Sequence, residues 1–220
     1  MTSFELIIRE VIEFAILHGH GVRDPLTGRH PWYVLMEVSS QHSEGLRASV
    51  EELLADAAQQ GLVEDATIAA SLEQAKAFWH LRHMLPEVQK PEGGSIKHDV
   101  SVPVASVPDF LAEAAAAVVK LIPGSRPVPF GHVGDGNIHF NVSQPVGADQ
   151  AAFLARWGEV NAVVDKIVLK YQGSISAEHG IGVLKRNSLP KVKDPVALDL
   201  MRGLKRMLDP NGILNPGKVL

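Results

Sequence analysis

Residues 130–142, with the sequence FGHVGDGNIHFNV, constrain the fold of this chain more than any other stretch. Their Gly-Asp-Gly-Asn core is rich in residues that adopt positive φ or form Asx turns, and apolar residues alternate with polar ones at the two-residue period of a strand. The stretch therefore predicts two strands joined by a turn. Such a turn folds His132 and His139 toward each other, and facing side chains across a hairpin begin only ~5 Å apart at Cβ, within reach of one metal ion.

Two other interpretations of this stretch lead away from a metal. The same residue types build ordinary hairpin turns, and a histidine at a strand end is commonly a surface residue that forms hydrogen bonds. A nucleotide-binding loop is excluded, because the spacing of Gly131, Gly134 and Gly136 fits neither GxGxxG nor a P-loop. A metal site and a structural hairpin both stay open at this point.

A second stretch, residues 174–186 with the sequence SISAEHGIGVLKR, favours the metal. Its small residues predict a short strand that runs into Glu178 and His179. Adjacent strand residues point to opposite faces, so one of this pair can bind an ion while the other faces a substrate. Two histidines and a glutamate with an open position are a usual first shell for a catalytic divalent ion.

The remaining periodicities predict an α+β protein. Helices are expected over residues 2–18, where Thr2 and Glu5 match a capping box, and over 43–61, 71–85, 110–121, 149–171 and 196–208. Strands are expected over residues 32–39, 62–68, 95–102, 130–142 and 174–177, the first of them central because it is apolar on both faces. This order indicates a ferredoxin-like fold, with a mostly antiparallel sheet covered by helices on one face and a C-terminal helical tail over residues 187–220.

Composition excludes several function classes. The net charge of −4 gives no basic surface for nucleic acid, and the absence of cysteine removes disulfides, thiolate metal sites and cysteine nucleophiles. No apolar run is long enough to span a membrane, and no signal peptide is apparent, so a cytoplasmic location is expected.

The two stretches, together with the ending LKRMLDPNGILNPGKVL, carry a family resemblance. With GHVGDGNIH, ISAEHGIG and DPNGILNPGK in that order, residues 1–220 resemble the C-terminal, substrate-binding half of the FAD-linked oxidases. These are flavoproteins of the vanillyl-alcohol-oxidase type, related to D-lactate, D-2-hydroxyglutarate and glycolate dehydrogenases. The resemblance implies one domain over residues 1–220, with FAD held mainly by an N-terminal domain that is absent from this chain, or by a separate chain.

The resemblance also implies a role for individual residues. His132, His139 and Glu178 would bind the divalent metal, zinc by expectation, and His179 would take the proton of the substrate hydroxyl. Arg82, Lys97 and Asn141 would bind the substrate, and Asn215 would contact the flavin. Pro86 stands where some hydroxyglutarate-type members carry a hydroxyl residue. The chain departs from the family at this position, which puts in doubt the identity or the binding mode of a second substrate carboxylate.

The expected function is the substrate- and metal-binding half of an FAD-dependent D-2-hydroxy acid dehydrogenase, inactive without its flavin partner. Two alternatives stay open: a module that binds a hydroxy acid or metal without redox chemistry, and a metal-free oxidase domain whose histidines contact substrate or flavin directly. The expected partners are a small 2-hydroxy acid and an FAD-binding domain, and a homodimer is left open.

Overall fold

The computed structural model describes residues 1–42 and 44–220, in which short strands alternate with helices. The strands are β1 (Ser3–Ile8), β2 (Trp32–Glu37), β3 (Ser95–Ile96), β4 (Asp99–Ser101), β5 (Arg126–Pro127), β6 (Phe130–His132), β7 (Asn137–His139) and β8 (Val142–Ser143). The helices are α1 (Arg9–His18), α2 (Leu46–Gln59), α3 (Leu72–Val88), α4 (Val107–Leu121), α5 (Gln150–Ala155), α6 (Trp157–Lys170), α7 (Leu189–Val192) and α8 (Pro195–Leu208). In those ranges no helix is long and apolar enough to cross a membrane.

The strands form two antiparallel sheets. The larger has the order β2-β1-β6-β7-β4 and the smaller the order β3-β8-β5. The predicted α+β class with a mostly antiparallel sheet is confirmed. Residues 95–102, predicted as one strand, instead divide between the two sheets, with Lys97 and His98 between β3 and β4.

The register of the larger sheet decides which polar side chains meet. Glu5 lies opposite His132 in the β1–β6 pair, and Asp99 lies opposite His139 in the β4–β7 pair. Within the hairpin His139 pairs with Phe130 and not with His132, because a 3-10 turn lengthens the connection. The two histidines are therefore not direct cross-strand partners as a short turn would make them, and each has a carboxylate opposite it instead.

The predicted opening helix over residues 2–18 is wrong in its first half, and so is its capping box. Ser3–Ile8 form β1, which pairs with β2 on one side and β6 on the other, and α1 begins only at Arg9. Glu5 and Ile7 are buried while their neighbours are half-buried, which is the alternation of a strand. A short apolar run fits the helix and strand periods equally well, and pairing on both edges selects the strand.

Other expected elements differ in extent. The strand at residues 32–39 is present as β2 but lies at the sheet edge, with Trp32 40% and Val34 50% exposed, so its central placement is wrong. The predicted strand over 62–68 does not form, and residues 174–177 contribute a single bridge between Ser174 and Ser101. The helix predicted over 149–171 divides at Arg156 into α5 and α6.

Two helices also depart from expectation. The helix predicted over residues 43–61 is present as α2, although its expected start at Ser43 lies outside the described residues. None of the residues of α2 is fully buried, and Leu46, Val50, Leu54 and Ala57 are half-buried while its other residues are exposed. Helix α3 begins as predicted, with the Ser71 hydroxyl accepting from the Gln74 amide, but it continues through Pro86 to Val88.

Two clusters of buried side chains hold the larger sheet. One surrounds α4 and α6 and includes Phe110, Ile138 and Phe140. The other lies between α1, α3 and β1 and includes Leu85 and Phe130. Because β6 contributes to one cluster and β7 to the other, the two histidine-bearing strands are fixed from both sides.

A buried histidine beside β4 makes the stability of this fold depend on pH. His98 is 5% exposed, and its Nδ1 lies 2.7 Å from the carbonyl oxygen of Phe140. Burial lowers the pKa of His98 from 6.5 to about 4. The unfolded chain then binds a proton as the pH falls below 6.5 while the folded chain does not until about pH 4.

We therefore expect the free energy of unfolding to fall by up to ~3 kcal/mol as the pH drops through this window. Urea unfolding at neutral and at acidic pH measures the change, and the difference between the two should be smaller in His98→Phe. If the free energy of unfolding changes equally with pH in both proteins, His98 is not the cause of the change.

Candidate metal and substrate site

One cavity of about 410 Å³ brings together the predicted site residues except Asn215. Helix α3 forms one wall with side chains that follow each other at three- and four-residue spacing on one helix face. The hairpin and the segment after Ser174 form the others. The lining residues are Trp79, Arg82, His83, Pro86, Lys97, Phe130, His132, His139, Asn141, Glu178 and His179.

The three predicted metal ligands converge in this cavity. Nε2 of His139 lies 3.4 Å from Oε1 of Glu178, and Nε2 of His132 lies 3.8 Å from Oε2 of the same carboxylate. Two ligands each ~2.1 Å from a tetrahedral zinc ion lie ~3.4 Å apart, so these separations are those of atoms that can share one ion. Both imidazoles present the same nitrogen to Glu178.

His139 is suited to bind a metal because its surroundings favour the neutral imidazole over the charged one. It is largely buried, and this burial lowers its pKa below the ordinary value, while the charge of Glu178 opposes the shift. Only a neutral imidazole can donate its lone pair to a cation.

His179 lies beside the predicted ligands and is the most exposed of the group. Its side chain is 65% accessible, its Nε2 is 3.6 Å from Oε1 of Glu178, and its ring stacks on that of His139 with centroids 5.6 Å apart. Glu178 and His179 lie in a segment without strand pairing, and both side chains line the cavity. In a continuous strand the two side chains would point to opposite faces.

Asp99 is a site residue that the sequence did not reveal. Its side chain is 4% accessible, and Oδ2 accepts hydrogen bonds from three consecutive backbone amides, those of residues 177, 178 and 179. Its Oδ1 is buried without a hydrogen-bond partner among the described residues and lies 3.9 Å from Nδ1 of His139. Asp99, His139, Glu178 and His179 form a group whose potential ligand atoms all lie within 4.8 Å of one another; His132 is not in this group, although its Nε2 lies 3.8 Å from Oε2 of Glu178.

Glu5 is the second residue that was missed in this role. Its buried carboxylate binds Nδ1 of His132 at 2.7 Å through Oε1 and Nε of Arg82 at 2.8 Å through Oε2. Burial by itself would raise the pKa of Glu5, but hydrogen bonds from His132 and Ser3 and the charge of Arg82 outweigh it, and the pKa is lowered. Recognising that role required the pairing of β1 with β6, which the predicted opening helix did not provide.

The predicted substrate-binding residues, Arg82, Lys97 and Asn141, all line the cavity. Arg82 is buried, and its guanidinium carbon is 5.0 Å from the centre of the Phe130 ring. Lys97 is exposed. Asn141 is 3% accessible and its amide nitrogen donates to Oε1 of Gln89 at 3.0 Å.

Asn215 is placed differently from the other predicted residues. It is exposed, it does not line the cavity, and it adopts φ +46° in the tail that follows α8. This tail is connected to the cavity segment by a hydrogen bond from the Val219 amide to the Gly182 carbonyl oxygen at 2.8 Å. The flavin contact assigned to Asn215 stays a prediction.

The donor set fits a divalent ion. Two imidazole nitrogens and a carboxylate are common zinc ligands, and the unpartnered Oδ1 of Asp99 lies 3.9 Å from Nδ1 of His139. His132, His139 and Glu178 would hold the ion.

Comparison with known proteins shows the family to which this chain belongs. Residues 1–219 match the family described as FAD linked oxidases, C-terminal domain. The chain is 36% identical over 219 residues to the D-2-hydroxyglutarate dehydrogenase of Xanthomonas citri pv. viticola, which covers 100% of this chain and 46% of that protein. It is 36% identical over 222 residues to the enzyme of that name from Stutzerimonas stutzeri, covering 100% of this chain and 47% of the relative.

A plant protein gives a similar alignment. The mitochondrial D-2-hydroxyglutarate dehydrogenase of Arabidopsis thaliana is 33% identical over 220 residues, covering 100% of this chain and 38% of the relative. The chain thus spans less than half the length of each of these three relatives. Because the family match extends over nearly every residue, the chain belongs to the FAD linked oxidases and corresponds to their C-terminal domain.

Proposed function

We propose that this chain is the substrate- and metal-binding half of an FAD-dependent D-2-hydroxy acid dehydrogenase that forms a 2-oxo acid. The observation that carries the proposal is the single cavity in which cationic side chains, Arg82 and Lys97, face the group of His132, His139 and Glu178. The names of the relatives support a 2-hydroxy acid of D configuration as the substrate class.

The substrate carboxylate is assigned to the two cations. Arg82 is fixed by Glu5 through Nε, and its terminal nitrogens make no hydrogen bond within the described ranges, so they are available to a carboxylate. A guanidinium binds a carboxylate through two parallel hydrogen bonds, whereas the Lys97 ammonium acts as a point charge. Asn141 adds an amide to the lining of the same cavity.

The hydroxyl end of the substrate is assigned to the imidazole group. A divalent ion held by His132, His139 and Glu178 would supply Lewis acidity that lowers the pKa of a coordinated hydroxyl. His179 lies next to this group and, as a neutral imidazole, would accept the hydroxyl proton. The choice of zinc stays a prediction, since imidazole and carboxylate ligands suit several divalent ions.

The hydride acceptor completes the reaction. FAD supplies that chemistry when bound, and we assign its binding mainly to a separate FAD-binding domain. The His179 side chain lines the cavity and is 65% accessible, so a separate domain can approach it from solvent.

The test is turnover by the chain joined to the FAD-binding domain of the Xanthomonas relative, with an artificial electron acceptor. D-2-hydroxy acids should be oxidised and their L enantiomers should not, and treatment with a chelator should remove activity that added divalent metal restores. An FAD-loaded preparation that oxidises neither enantiomer, or that keeps full activity after the metal is removed, contradicts the proposal.

Lys97→Met tests the substrate contact in the same preparation. Loss of one charge-assisted hydrogen bond of ~1.5–3 kcal/mol should raise KM for the hydroxy acid ~10- to 100-fold. Lys120→Met, at an exposed position of α4 outside the cavity, is the matched control and should leave KM unchanged. Equal KM values in the two variants would remove Lys97 from the site.

A further inference from the structure

We infer that Asp99 is a positioning residue of the metal centre, which fixes the Glu178–His179 segment with one carboxylate oxygen and orients His139 with the other. The inference rests on the proposed metal site and adds a role for a residue that does not itself bind the ion. Asp99 belongs to β4, the edge strand of the larger sheet, so it is anchored independently of the segment that it holds.

The first observation is the set of hydrogen bonds to Oδ2. The backbone amides of residues 177, 178 and 179 donate to it at 3.1, 3.1 and 2.9 Å. These residues lie outside the strands, beyond the single bridge at Ser174, and the Ala177 amide also donates to the backbone carbonyl oxygen of Asp99 at 3.3 Å. Three amide hydrogen bonds on one buried oxygen set the position of the Glu178 and His179 backbones.

Lys185 supports the same junction from the other side. Its Nζ donates to the carbonyl oxygens of Asp99 at 3.1 Å and Ile175 at 2.6 Å, so it ties β4 to the start of the segment. Burial lowers the pKa of Lys185, although the charges of Asp99 and Asp165 oppose the shift. The side chain of Asp99 and the backbone around it are therefore held in one arrangement.

The second observation is the position of Oδ1. It lies 3.9 Å from Nδ1 of His139, whereas Nε2 of the same ring lies 3.4 Å from Glu178 on the opposite edge. A shift of ~1 Å would bring Oδ1 within hydrogen-bond range of an Nδ1–H group. A carboxylate in this place favours the proton on Nδ1 and leaves the Nε2 lone pair free for an ion.

His132 also has a carboxylate at its Nδ1, at a shorter distance than the one between Asp99 and His139. Nδ1 of His132 contacts Oε1 of Glu5 at 2.7 Å, and its Nε2 faces Glu178. Both predicted histidine ligands are thus backed by a buried carboxylate. Asp99 does not line the cavity, and its Oδ2 is already occupied by three donors, which distinguishes it from the residues that face the ion.

Asp99→Asn separates this role from a purely structural one. The single oxygen of asparagine can still accept the three amides, but its NH2 group then faces His139 and donates to Nδ1, which places the imidazole proton on Nε2. We expect Zn²⁺ affinity, measured by calorimetric titration of the chain, to fall ~10- to 100-fold. The absorption spectrum of bound Co²⁺ should change with it, while the free energy of unfolding without metal changes little.

Asp209→Asn is the matched control. Asp209 is a buried carboxylate that also accepts backbone amides, those of Ile213 and Leu214, but it lies in the C-terminal tail away from the cavity. This variant should lose stability and keep the Zn²⁺ affinity of the unsubstituted chain.

Three outcomes overturn the inference. Unchanged Zn²⁺ affinity in Asp99→Asn removes the positioning role, and complete loss of binding makes Asp99 a ligand. If the variant does not fold, nitrogen NMR of the unsubstituted, metal-free chain decides, because an Nε2–H tautomer of His139 contradicts the orientation inferred. Absence of Zn²⁺ binding by the unsubstituted chain would instead overturn the proposed metal site on which the inference rests.

Discussion

Replacing His139 with alanine should abolish the retention of stoichiometric metal by this chain. His139 lies between Glu178 on its Nε2 side and Asp99 on its Nδ1 side, and burial lowers its pKa. Its removal takes one of the three proposed protein ligands from the ion, so we expect affinity to fall by more than the ~100-fold that loss of an outer-shell partner costs. Elemental analysis of protein purified without chelator, together with calorimetric titration of Zn²⁺, measures the change.

His83→Ala is the control for this variant. His83 also lines the cavity, but it is exposed on α3 and stacks on Trp79 with ring centroids 5.6 Å apart, away from the predicted ligands. Metal content should be unchanged in His83→Ala. Equal metal content in the His139 and His83 variants would remove His139 from the metal shell.

The largest expected effect on stability is that of Gly136→Ala. Gly136 ends the 3-10 turn between β6 and β7 with φ +79°, and a Cβ placed there would lie 2.0 Å from the carbonyl oxygen of Val102. The left-handed conformation alone costs ~1–2 kcal/mol for alanine, and a clash with backbone cannot be relieved by a rotamer change. We expect a loss of at least ~3 kcal/mol in the free energy of unfolding, measured by urea denaturation.

Gly158→Ala supplies the comparison. Gly158 lies in α6, and a Cβ at this position meets no atom within 4 Å. Alanine there should be neutral or stabilise the chain by ~0.5–1 kcal/mol. If both alanine variants unfold at the same urea concentration, the turn that carries the histidines is not as tightly constrained as its geometry requires.

The ligand candidates could be predicted from sequence because each stands in a local motif. His132 and His139 flank a glycine-rich turn, and Glu178 and His179 stand in ISAEHGIG, so motif and family resemblance indicated the residues that the cavity brings together. The start and type of α3 were also predictable, because the Ser71 cap is a local signal.

The supporting carboxylates could not be predicted, because their partners are distant along the chain. Glu5 contacts a histidine 127 positions later, and Asp99 accepts amides 78 to 80 positions later. Nothing in the neighbourhood of either residue encodes those contacts, which depend on strand register. The apolar run around Glu5 matched a helix as well as a strand, and the helix prediction concealed the alignment that gives Glu5 its place.

The two oxygens of Glu5 bind two residues that line the cavity, Oε1 contacting His132 and Oε2 contacting Arg82. A cation bound to Nε2 polarises the His132 ring and strengthens the hydrogen bond from its Nδ1–H to the Glu5 carboxylate. The hydrogen bond between this carboxylate and the Arg82 guanidinium then becomes weaker. Ion and hydroxy acid should consequently bind with cooperativity, and by thermodynamic reciprocity each raises the affinity for the other by the same factor.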